Sequence, residues 1–226
     1  MPLRPDELEE IQLVKTGTRR VTAGELILHH EANGEESMTL YSGWAVRQRA
    51  LESGKVQITS FLMPGSFIDS EFELANGDSY SIEAITDVEL CIFSTQDLKK
   101  RFGEHASLSR ALASLTQSEE ALLLERVTDI GRRTALARLT HFLLETYTRQ
   151  KMLGLAAEDH CPFPLRQRHL ADAMGLSFEH VNRMLKELKA KGWANIKDSR
   201  LYIMDFEGMS RYCEFDDSYL RPRPII

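Results

Sequence analysis

The chain has 226 residues, of which 42% are hydrophobic and 27% charged, and its formal net charge at pH 7 is −6. This composition is ordinary for a globular protein of one large or two smaller domains, and no segment approaches the roughly 20 apolar residues of a membrane span. The N-terminus lacks the apolar core of a signal peptide, so we expect a cytoplasmic protein without a membrane partner.

Residues 17 to about 98 have the pattern of an antiparallel β-domain. Short apolar or alternating runs recur, and turns such as Gly43 and Asn76-Gly77 separate them. Many short strands at this spacing indicate a sandwich or barrel.

A helical pattern without proline follows, from residue 96 to residue 151. Its first part predicts a long helix with an a/d seam whose residues are spaced 4, 3 and 7 apart: Leu108, Leu112, Leu115 and Leu122. Such a narrow seam favours pairing with a second copy, although packing on the chain's own sheet is the alternative. Residues 129–150 predict another helix, with a hinge at Asp129 and Gly131.

A helix-turn-helix is predicted in the twenty residues that begin at Gln167. The fifth position, Ala171, is small enough for two helices to approach, and the ninth, Gly175, suits a tight turn. Val181, at position 15, is a branched apolar residue that would pack back on the first helix. Ser177 is a good N-cap for the second helix.

Charge is concentrated in this part of the chain. Residues 165–200 carry eight cationic and four acidic side chains, although the whole chain is acidic. Such asymmetry is typical of a nucleic-acid-binding module on an acidic body. Residues 191–205 predict two short strands around Asp198-Ser199, the wing of a winged helix. We therefore expect double-stranded DNA as a partner.

The outer face of the second helix supplies the candidate DNA contacts. Arg183 is suited to donate two hydrogen bonds to guanine, and Glu179 to accept one from cytosine. An ion pair between these two side chains is the alternative interpretation. The predicted base contacts are Phe178, Glu179, His180, Asn182 and Arg183. The predicted phosphate contacts are Arg166, Arg168, Ser177, Lys186, Lys189, Lys197 and Arg200.

A β-rich domain, a long helix and a winged helix in this order resemble the Crp/Fnr family of bacterial transcription regulators. Glu179-x-x-x-Arg183 matches the family's recognition helix. The resemblance implies an α+β fold with an N-terminal β-roll, a jelly roll like that of cyclic-nucleotide-binding domains. The implied domains are this β-roll at 1–104, a dimerisation helix at 105–128 and a winged helix-turn-helix domain at 129–226.

The resemblance also implies a homodimer that binds a two-fold related DNA site and recruits or blocks RNA polymerase. Where cyclic-AMP-dependent members have an Arg before the recognition Glu, this chain has Phe178, which is suited to a thymine methyl group. Asn182 stands where Fnr-like members have a Ser. We expect a pseudo-palindromic site with half-sites of TTGA type rather than TGTGA type.

The family's effector pocket is degenerate in this chain. Its phosphate-binding cassette has Gly-Glu-Leu, then Arg-Ser about ten residues later. Ser70 stands where the Glu binds the ribose, and Tyr80 where the Arg pairs with the cyclic phosphate. Ser81 is retained, and Glu71 is displaced by one residue. Because a buried phosphate would lack its cation, we expect no response to cyclic nucleotide.

No cofactor or metal is expected. The cysteine cluster of oxygen-sensing Fnr members is absent, and three widely spaced cysteines without a CxxC pair indicate structural thiols. Haem is an alternative, and its ligands would come from His29, His30, Cys91 or the His160-Cys161-Pro162 run.

Two other functions remain open at this point. The β-domain would in one case sense a different small ligand, and the helix-turn-helix would in the other dock a protein. No P-loop, G-x-S-x-G or HExxH motif suggests an enzyme. A tail after Glu207 extends beyond the usual module, and its aromatic residues Tyr212, Phe215 and Tyr219 predict that it packs.

Overall fold

The computed structural model describes residues 5–28, 35–69 and 80–221. These residues fall into two compact units that divide within a long helix, between Glu119 and Glu120. No helix in the described ranges is both long and apolar enough to cross a membrane.

The first unit is built on two antiparallel sheets. Helix α1 (Pro5–Leu13) precedes the strands β1 (Lys15–Val21), β2 (Leu26–Leu28), β3 (Glu36–Ser42), β4 (Ala45–Ala50), β5 (Val56–Leu62), β6 (Phe67–Asp69), β7 (Tyr80–Ala84) and β8 (Val88–Ser94). One sheet has the order β1-β8-β3-β6 and the other β2-β7-β4-β5. Helix α2 (Thr95–Glu104) follows, and Ser94 caps it by accepting a hydrogen bond from the Asp97 amide.

Both sheets contribute buried side chains to one apolar core. Met38 and Leu90 come from the first sheet, and Leu62 and Ile82 from the second; each is at most 1% exposed. Burying one such side chain stabilises the fold by about 1.5–3 kcal/mol. The predicted β-roll is therefore confirmed.

Two helices follow without an intervening strand. Helix α3 runs from Ala106 to Arg132 and α4 from Ala135 to Met152. The hinge predicted at Asp129 and Gly131 is wrong, because both residues lie inside α3. The break comes at the N-cap of α4, where the Thr134 hydroxyl accepts a hydrogen bond from the Ala137 amide at 3.3 Å.

The second unit ends in a winged helix-turn-helix. Strand β9 (His160–Pro162) precedes α5 (Gln167–Met174), α6 (Phe178–Ala190), β10 (Ala194–Lys197), β11 (Arg200–Ile203) and α7 (Phe206–Cys213). The wing sheet has the order β10-β11-β9. Its tip, Asp198-Ser199, has φ of 51° and 54°, as in the tight hairpin turns that match strand twist. The predicted wing is confirmed.

The described part of the tail, residues 208–221, packs on α4, as its aromatic residues predicted. It contains most of α7 and a short 3₁₀ helix (Asp217–Leu220). The ring centroids of Phe215 and Tyr219 lie 5.2 and 6.1 Å from that of His141, a fully buried residue of α4. Tyr212 instead packs on Trp193, with ring centroids 4.9 Å apart.

Candidate nucleic-acid interface

The turn between α5 and α6 has the geometry that its sequence predicts. Gly175 adopts a left-handed conformation with φ 64° and ψ 38°, which a side chain would strain. The next amide, that of Leu176, donates to the Ala171 carbonyl at 3.1 Å and closes the helix end. Ala171 and Val181 are buried between the two helices. The turn therefore fixes the direction in which α6 leaves α5.

Helix α6 buries one face and exposes the other. Val181, Met184 and Leu188 are buried in the core of the unit. Phe178 and Arg183 are exposed, and Phe178 has 52% of its surface accessible. The first turn is capped by the Ser177 hydroxyl, which accepts from the His180 amide at 3.2 Å. Ser177 thus has a structural role whether or not it also meets a phosphate.

Glu179 and Arg183 do not pair with each other. Within the described parts of the chain, neither side chain forms an ion pair, so the i,i+4 interpretation is not the arrangement that the helix adopts. Interactions with its own backbone amide and with the Ser177 hydroxyl hold the pKa of Glu179 below its ordinary value. The outer face of α6 therefore presents a carboxylate acceptor and a separate guanidinium donor.

Asn182 is placed differently from the other predicted base contacts. Its amide nitrogen donates to the Gln167 Oε1 atom at 3.1 Å, which joins α6 to the first residue of α5. One of the two N–H donors of its amide is therefore used inside the helix-turn-helix. His180, like Asn182, is only half-exposed.

The cations predicted to contact phosphates lie on the surface. Two of them, Lys186 and Lys189, line a cleft of about 220 Å³ between α6 and β10, together with Gln167 and Asn195. Exposed side chains surround the helix-turn-helix and the wing, namely Arg166, Arg168, Lys186, Lys189, Lys197 and Arg200.

Two of these arginines lie against histidines. Arg200 donates from Nη1 to the Nε2 atom of His160 at 3.0 Å, while the Nδ1 atom of His160 lies 2.7 Å from Asp159. The Nε atom of Arg168 lies 3.0 Å from the Nε2 atom of His169, but this nitrogen carries the ring proton when Nδ1 accepts from the Arg166 amide, so the contact is not a hydrogen bond. The position of the Arg200 guanidinium is therefore restricted before any ligand binds.

His169 is a structural residue that the sequence analysis missed. Its Nδ1 atom accepts from the Arg166 amide at 3.0 Å, which caps the start of α5. Burial, and then the charges of Arg168 and Arg166, lower the pKa of His169 to about 4. The ring is thus neutral at physiological pH. Its position three residues after the N-cap, where capping boxes place Glu or Gln, was the signal that could have revealed it.

The predicted effector residues are only partly described. Ser70 and Glu71 lie outside the described residues. Tyr80 pairs across the sheet with Arg49, whose guanidinium lies 5.3 Å from the centre of the Tyr80 ring. Ser81 stands opposite Gln48 on the same strand pair. A cation therefore lies beside Tyr80 on the neighbouring strand, where sequence position alone did not place one.

A second arginine of β4 faces the long helix. Arg47 Nη1 lies 3.5 Å from the Glu119 carboxylate of α3, and the Arg47 side chain is mostly buried. Glu119 lies between Leu115 and Leu122, at the position where the spacing of the predicted seam would place another leucine. It therefore pairs within its own chain.

The residues considered for the haem alternative have other surroundings. His29 and His30 lie outside the described residues, and His160 is engaged by Asp159 and Arg200. Burial raises the pKa of the Cys161 thiol to about 12, and Cys91 is half-buried. Across the described ranges, His, Cys, Asp and Glu side chains form no group of three or more suited to a metal ion.

The predicted dimer seam does not match the exposed face of α3. Leu108 is 0% exposed within its own chain, so it cannot lie between two copies. Leu112 and Leu122 are half-buried, and Leu115 is exposed. A different set of exposed apolar side chains recurs along the second half of the helix, which we call the α3 stripe: Leu123, Leu124, Val127 and Ile130.

Comparison with known proteins assigns each unit to a family model. Residues 18–105 match the cyclic nucleotide-binding domain, and residues 137–212 match the Crp-like helix-turn-helix domain. The nitrogen fixation regulation protein FixK of Rhizobium meliloti (strain 1021) is 30% identical over 73% of this chain and 72% of its own. The chain belongs to the Crp/Fnr family of transcription regulators. The predicted family and fold class are confirmed.

Other Crp/Fnr proteins align over most of the chain. The transcriptional activator protein FnrL of Cereibacter sphaeroides is 24% identical over 89% of this chain and 82% of its own. The structure of FixK2 from Bradyrhizobium japonicum superposes with a TM-score of 0.75 at 24% identity, over 87% of this chain and 96% of that one. The curated relatives are transcription regulators rather than enzymes.

Proposed function

We propose that the protein is a homodimeric regulator that reads a pseudo-palindromic, TTGA-like DNA site and acts on RNA polymerase, without needing a cyclic nucleotide. The observation that supports this best is the outer face of α6. Phe178, Glu179 and Arg183 are exposed on one helix, and the last two lack an ion-pair partner among the described residues. They are therefore available to base edges in a major groove.

Base reading needs acceptors and donors at different positions. The guanidinium of Arg183 matches guanine O6 and N7, and the ionised Glu179 accepts from the cytosine amino group. A carboxylate near DNA phosphates would otherwise be repelled, so its place on the exposed edge favours base contact. We propose Phe178 for a thymine methyl group, and His180 and Asn182 for adjacent contacts.

Phosphate contacts would position this helix without specifying sequence. Lys186 and Lys189 lie on one side of α6, and Lys197 and Arg200 on the wing. Arg166, Arg168 and Ser177 are proposed at the helix N-termini, where partial positive charge also favours a phosphate.

Pairing of two copies is proposed through the α3 stripe. Exposed apolar residues at positions i, i+4 and i+7, here Leu123, Val127 and Ile130, make the kind of face that a second helix covers. Leaving such a row in water forgoes the free energy of apolar burial. Two-fold symmetry of the protein would then match two DNA half-sites.

Independence from cyclic nucleotide is proposed from the surroundings of Tyr80. By the sequence resemblance, Tyr80 stands where the family's Arg pairs with the cyclic phosphate, and two arginines of β4 already have other partners: Arg49 lies over the Tyr80 ring and Arg47 faces Glu119. Thermal unfolding with and without cyclic AMP or cyclic GMP tests this point. An unchanged midpoint is expected, whereas a rise that grows with nucleotide concentration would show binding to the folded state.

The experiment for DNA recognition is fluorescence anisotropy with a TTGA-N6-TCAA duplex and a scrambled duplex at two salt concentrations. We expect selective binding that weakens steeply with salt, because cations of the protein replace counterions of the DNA. Arg183→Ala is expected to reduce the selectivity, and Arg20→Ala, a substitution of an exposed β1 arginine, to keep it. Binding without selectivity or salt dependence would instead favour a protein-interaction module.

The dimer is tested by light scattering after size-exclusion chromatography. Val127→Glu places a charge in the α3 stripe and is expected to give a monomer. Leu115→Glu is the matched variant, since Leu115 is exposed on the same helix but belongs to the originally predicted seam. The reverse result, with dissociation by Leu115→Glu only, would restore that seam.

A further inference from the structure

One arginine joins three helices of the second unit through backbone carbonyls alone. Arg138 lies in the first turn of α4. Its Nε atom donates to the Asp129 carbonyl at 2.9 Å and Nη2 to the Ile130 carbonyl at 3.1 Å. Its Nη1 atom donates to the Met174 carbonyl at 2.6 Å. Two of the acceptors belong to α3 and the third to α5.

All three carbonyls lie at the C-terminal ends of helices. The last four carbonyls of a helix have no partner within it, and they carry the negative end of its dipole. A guanidinium there donates to these unpaired carbonyls and stabilises the C-terminal ends of both α3 and α5. Its planar arrangement of five N–H donors reaches several carbonyls at once, which a lysine ammonium on a flexible stem does not.

The two helix ends that Arg138 joins belong to elements with different roles in the proposed function. Ile130, one of the acceptors, is also part of the α3 stripe. Met174 directly precedes the Gly175 turn, and α6 begins three residues after Gly175. Arg138 therefore connects the end of the proposed dimer helix to the element that directs the recognition helix.

A neighbouring arginine does not make this connection. Arg133 binds the carboxylates of Glu125 and Asp129 at 3.2 and 2.8 Å, and its Nε atom donates to the Cys213 carbonyl. These contacts join α3 to the end of α7 and leave α5 untouched. The link from α3 to the helix-turn-helix is thus a feature of Arg138.

We infer that Arg138 is a positioning residue that fixes the separation and angle between the two recognition helices of a dimer. This inference rests on the proposed function. A dimer with rigidly held helices accepts only one spacing of its half-sites, because each added base pair moves a half-site by about 3.4 Å and rotates it by about 35°. A dimer with loosely held helices tolerates several spacings.

The test compares spacing preference with binding to one half-site. Anisotropy is measured on TTGA and TCAA half-sites separated by four to eight base pairs, and on a duplex with a single TTGA. Wild type is expected to prefer one spacing by about tenfold or more, in line with the geometric demand on paired half-sites. Arg138→Met is expected to reduce this preference to under about threefold, with single-half-site affinity nearly unchanged.

Two variants make the result specific. Arg132→Met removes an exposed arginine at the end of α3 and is expected to keep the wild-type spacing preference. Arg138→Lys retains the charge but has one donor nitrogen in place of three, and is expected to broaden the preference less than Arg138→Met. It also carries the test if Arg138→Met does not fold, as judged by circular dichroism.

Two outcomes would contradict the inference in distinguishable ways. A wild-type spacing preference that persists in Arg138→Met and Arg138→Lys would overturn the role of Arg138 and leave the DNA-binding proposal intact. Wild-type protein without selective binding to any paired site would overturn the proposed function and this inference together.

Discussion

The hydroxyl of Tyr219 donates a hydrogen bond to Glu145 Oε2 at 3.1 Å, which joins the C-terminal tail to the middle of α4. Glu145 is 1% exposed, and its other carboxylate oxygen lies 3.2 Å from Arg126 Nη2. Burial, followed by the charge of Glu145, raises the pKa of Tyr219. The tail therefore supplies a proton donor to a carboxylate that water does not reach.

Removing that hydroxyl should destabilise the second unit. Tyr219→Phe keeps the packing on His141 but leaves one oxygen of Glu145 without its donor. We expect a loss of about 1–3 kcal/mol in the free energy of unfolding, measured by urea denaturation. Tyr212→Phe is the control, because Tyr212 is partly exposed on Trp193, and its loss should be within about 0.5 kcal/mol. Equal effects of the two substitutions would contradict the role of Tyr219.

Stability should depend on pH through His169. Its pKa is about 4 in the folded protein and ordinary, about 6.5, when unfolded. Between these values the unfolded chain binds more protons, so the free energy of unfolding falls as the pH falls from 6.5 to 4. Over this pH range, the titration of His169 lowers the free energy of unfolding by about 3 kcal/mol.

His169→Gln removes this titration and keeps a side chain that reaches the N-cap amide. Urea denaturation at pH 4.5 and pH 7 should show a smaller difference for the variant than for wild type. An identical pH dependence in both proteins would mean that other groups cause it.

Arg183 and Lys186 should affect DNA binding in different ways. Arg183→Ala is expected to cost about 1–3 kcal/mol on the preferred site and to relax the choice at one base pair. Lys186→Ala is expected to weaken binding to all sequences about equally and to reduce the salt slope by about 1. Anisotropy with single-base variants of the duplex distinguishes them. A salt-slope change without lost selectivity in Arg183→Ala would make it a phosphate contact.

Gly175 and Gly131 provide a matched pair of substitutions in the second unit. Gly175 has φ +64°, so Gly175→Ala is expected to destabilise by about 1–2 kcal/mol although the space around it is open. Gly131 lies in α3 with equally open surroundings and without positive φ. Gly131→Ala is expected to stabilise by about 0.5–1 kcal/mol. If both substitutions shift the thermal unfolding midpoint in the same direction, the backbone conformation of the two glycines is not the cause of their effects.

The helix-turn-helix could be predicted because its residue types answer local geometric demands. A left-handed turn favours glycine, a close helix approach favours alanine, and an interior position favours valine. Gly175, Ala171 and Val181 meet these demands at fixed spacing, and the structure places each as expected. The wing followed in the same way from the turn residues at Asp198 and Ser199.

The faces of α3 could not be assigned from periodicity. Leucines occupy more than one side of this helix, and a spacing of 4, 3 and 7 does not tell which side the chain itself covers. Leu108 is buried by its own chain, while Leu123 and Val127, outside the chosen seam, are exposed. A glycine such as Gly131 suggests a hinge from sequence, whereas the cap at Thr134 determines where α3 and α4 separate.

The carbonyl contacts of Arg138 and the anchoring of the tail were also beyond sequence patterns. Both depend on polar groups that are distant in the chain. Arg138 binds main-chain oxygens. Because every residue type carries one, the sequence does not indicate which residues accept these hydrogen bonds. The tail covers a buried group of charges that includes Arg126, Asp129 and Glu145, and its aromatic residues predicted packing without its partner.

Because the tail covers buried groups of α4, it determines which residues a DNA-binding fragment must include to fold on its own. A polypeptide that stops at the end of α7 would lose Phe215 and Tyr219 and open His141 and Glu145 to water. One that starts at α4 would remove Arg126 and Asp129, the partners of those same buried groups. The smallest fragment with a closed interior therefore runs from the middle of α3 to Arg221, well beyond both ends of the helix-turn-helix.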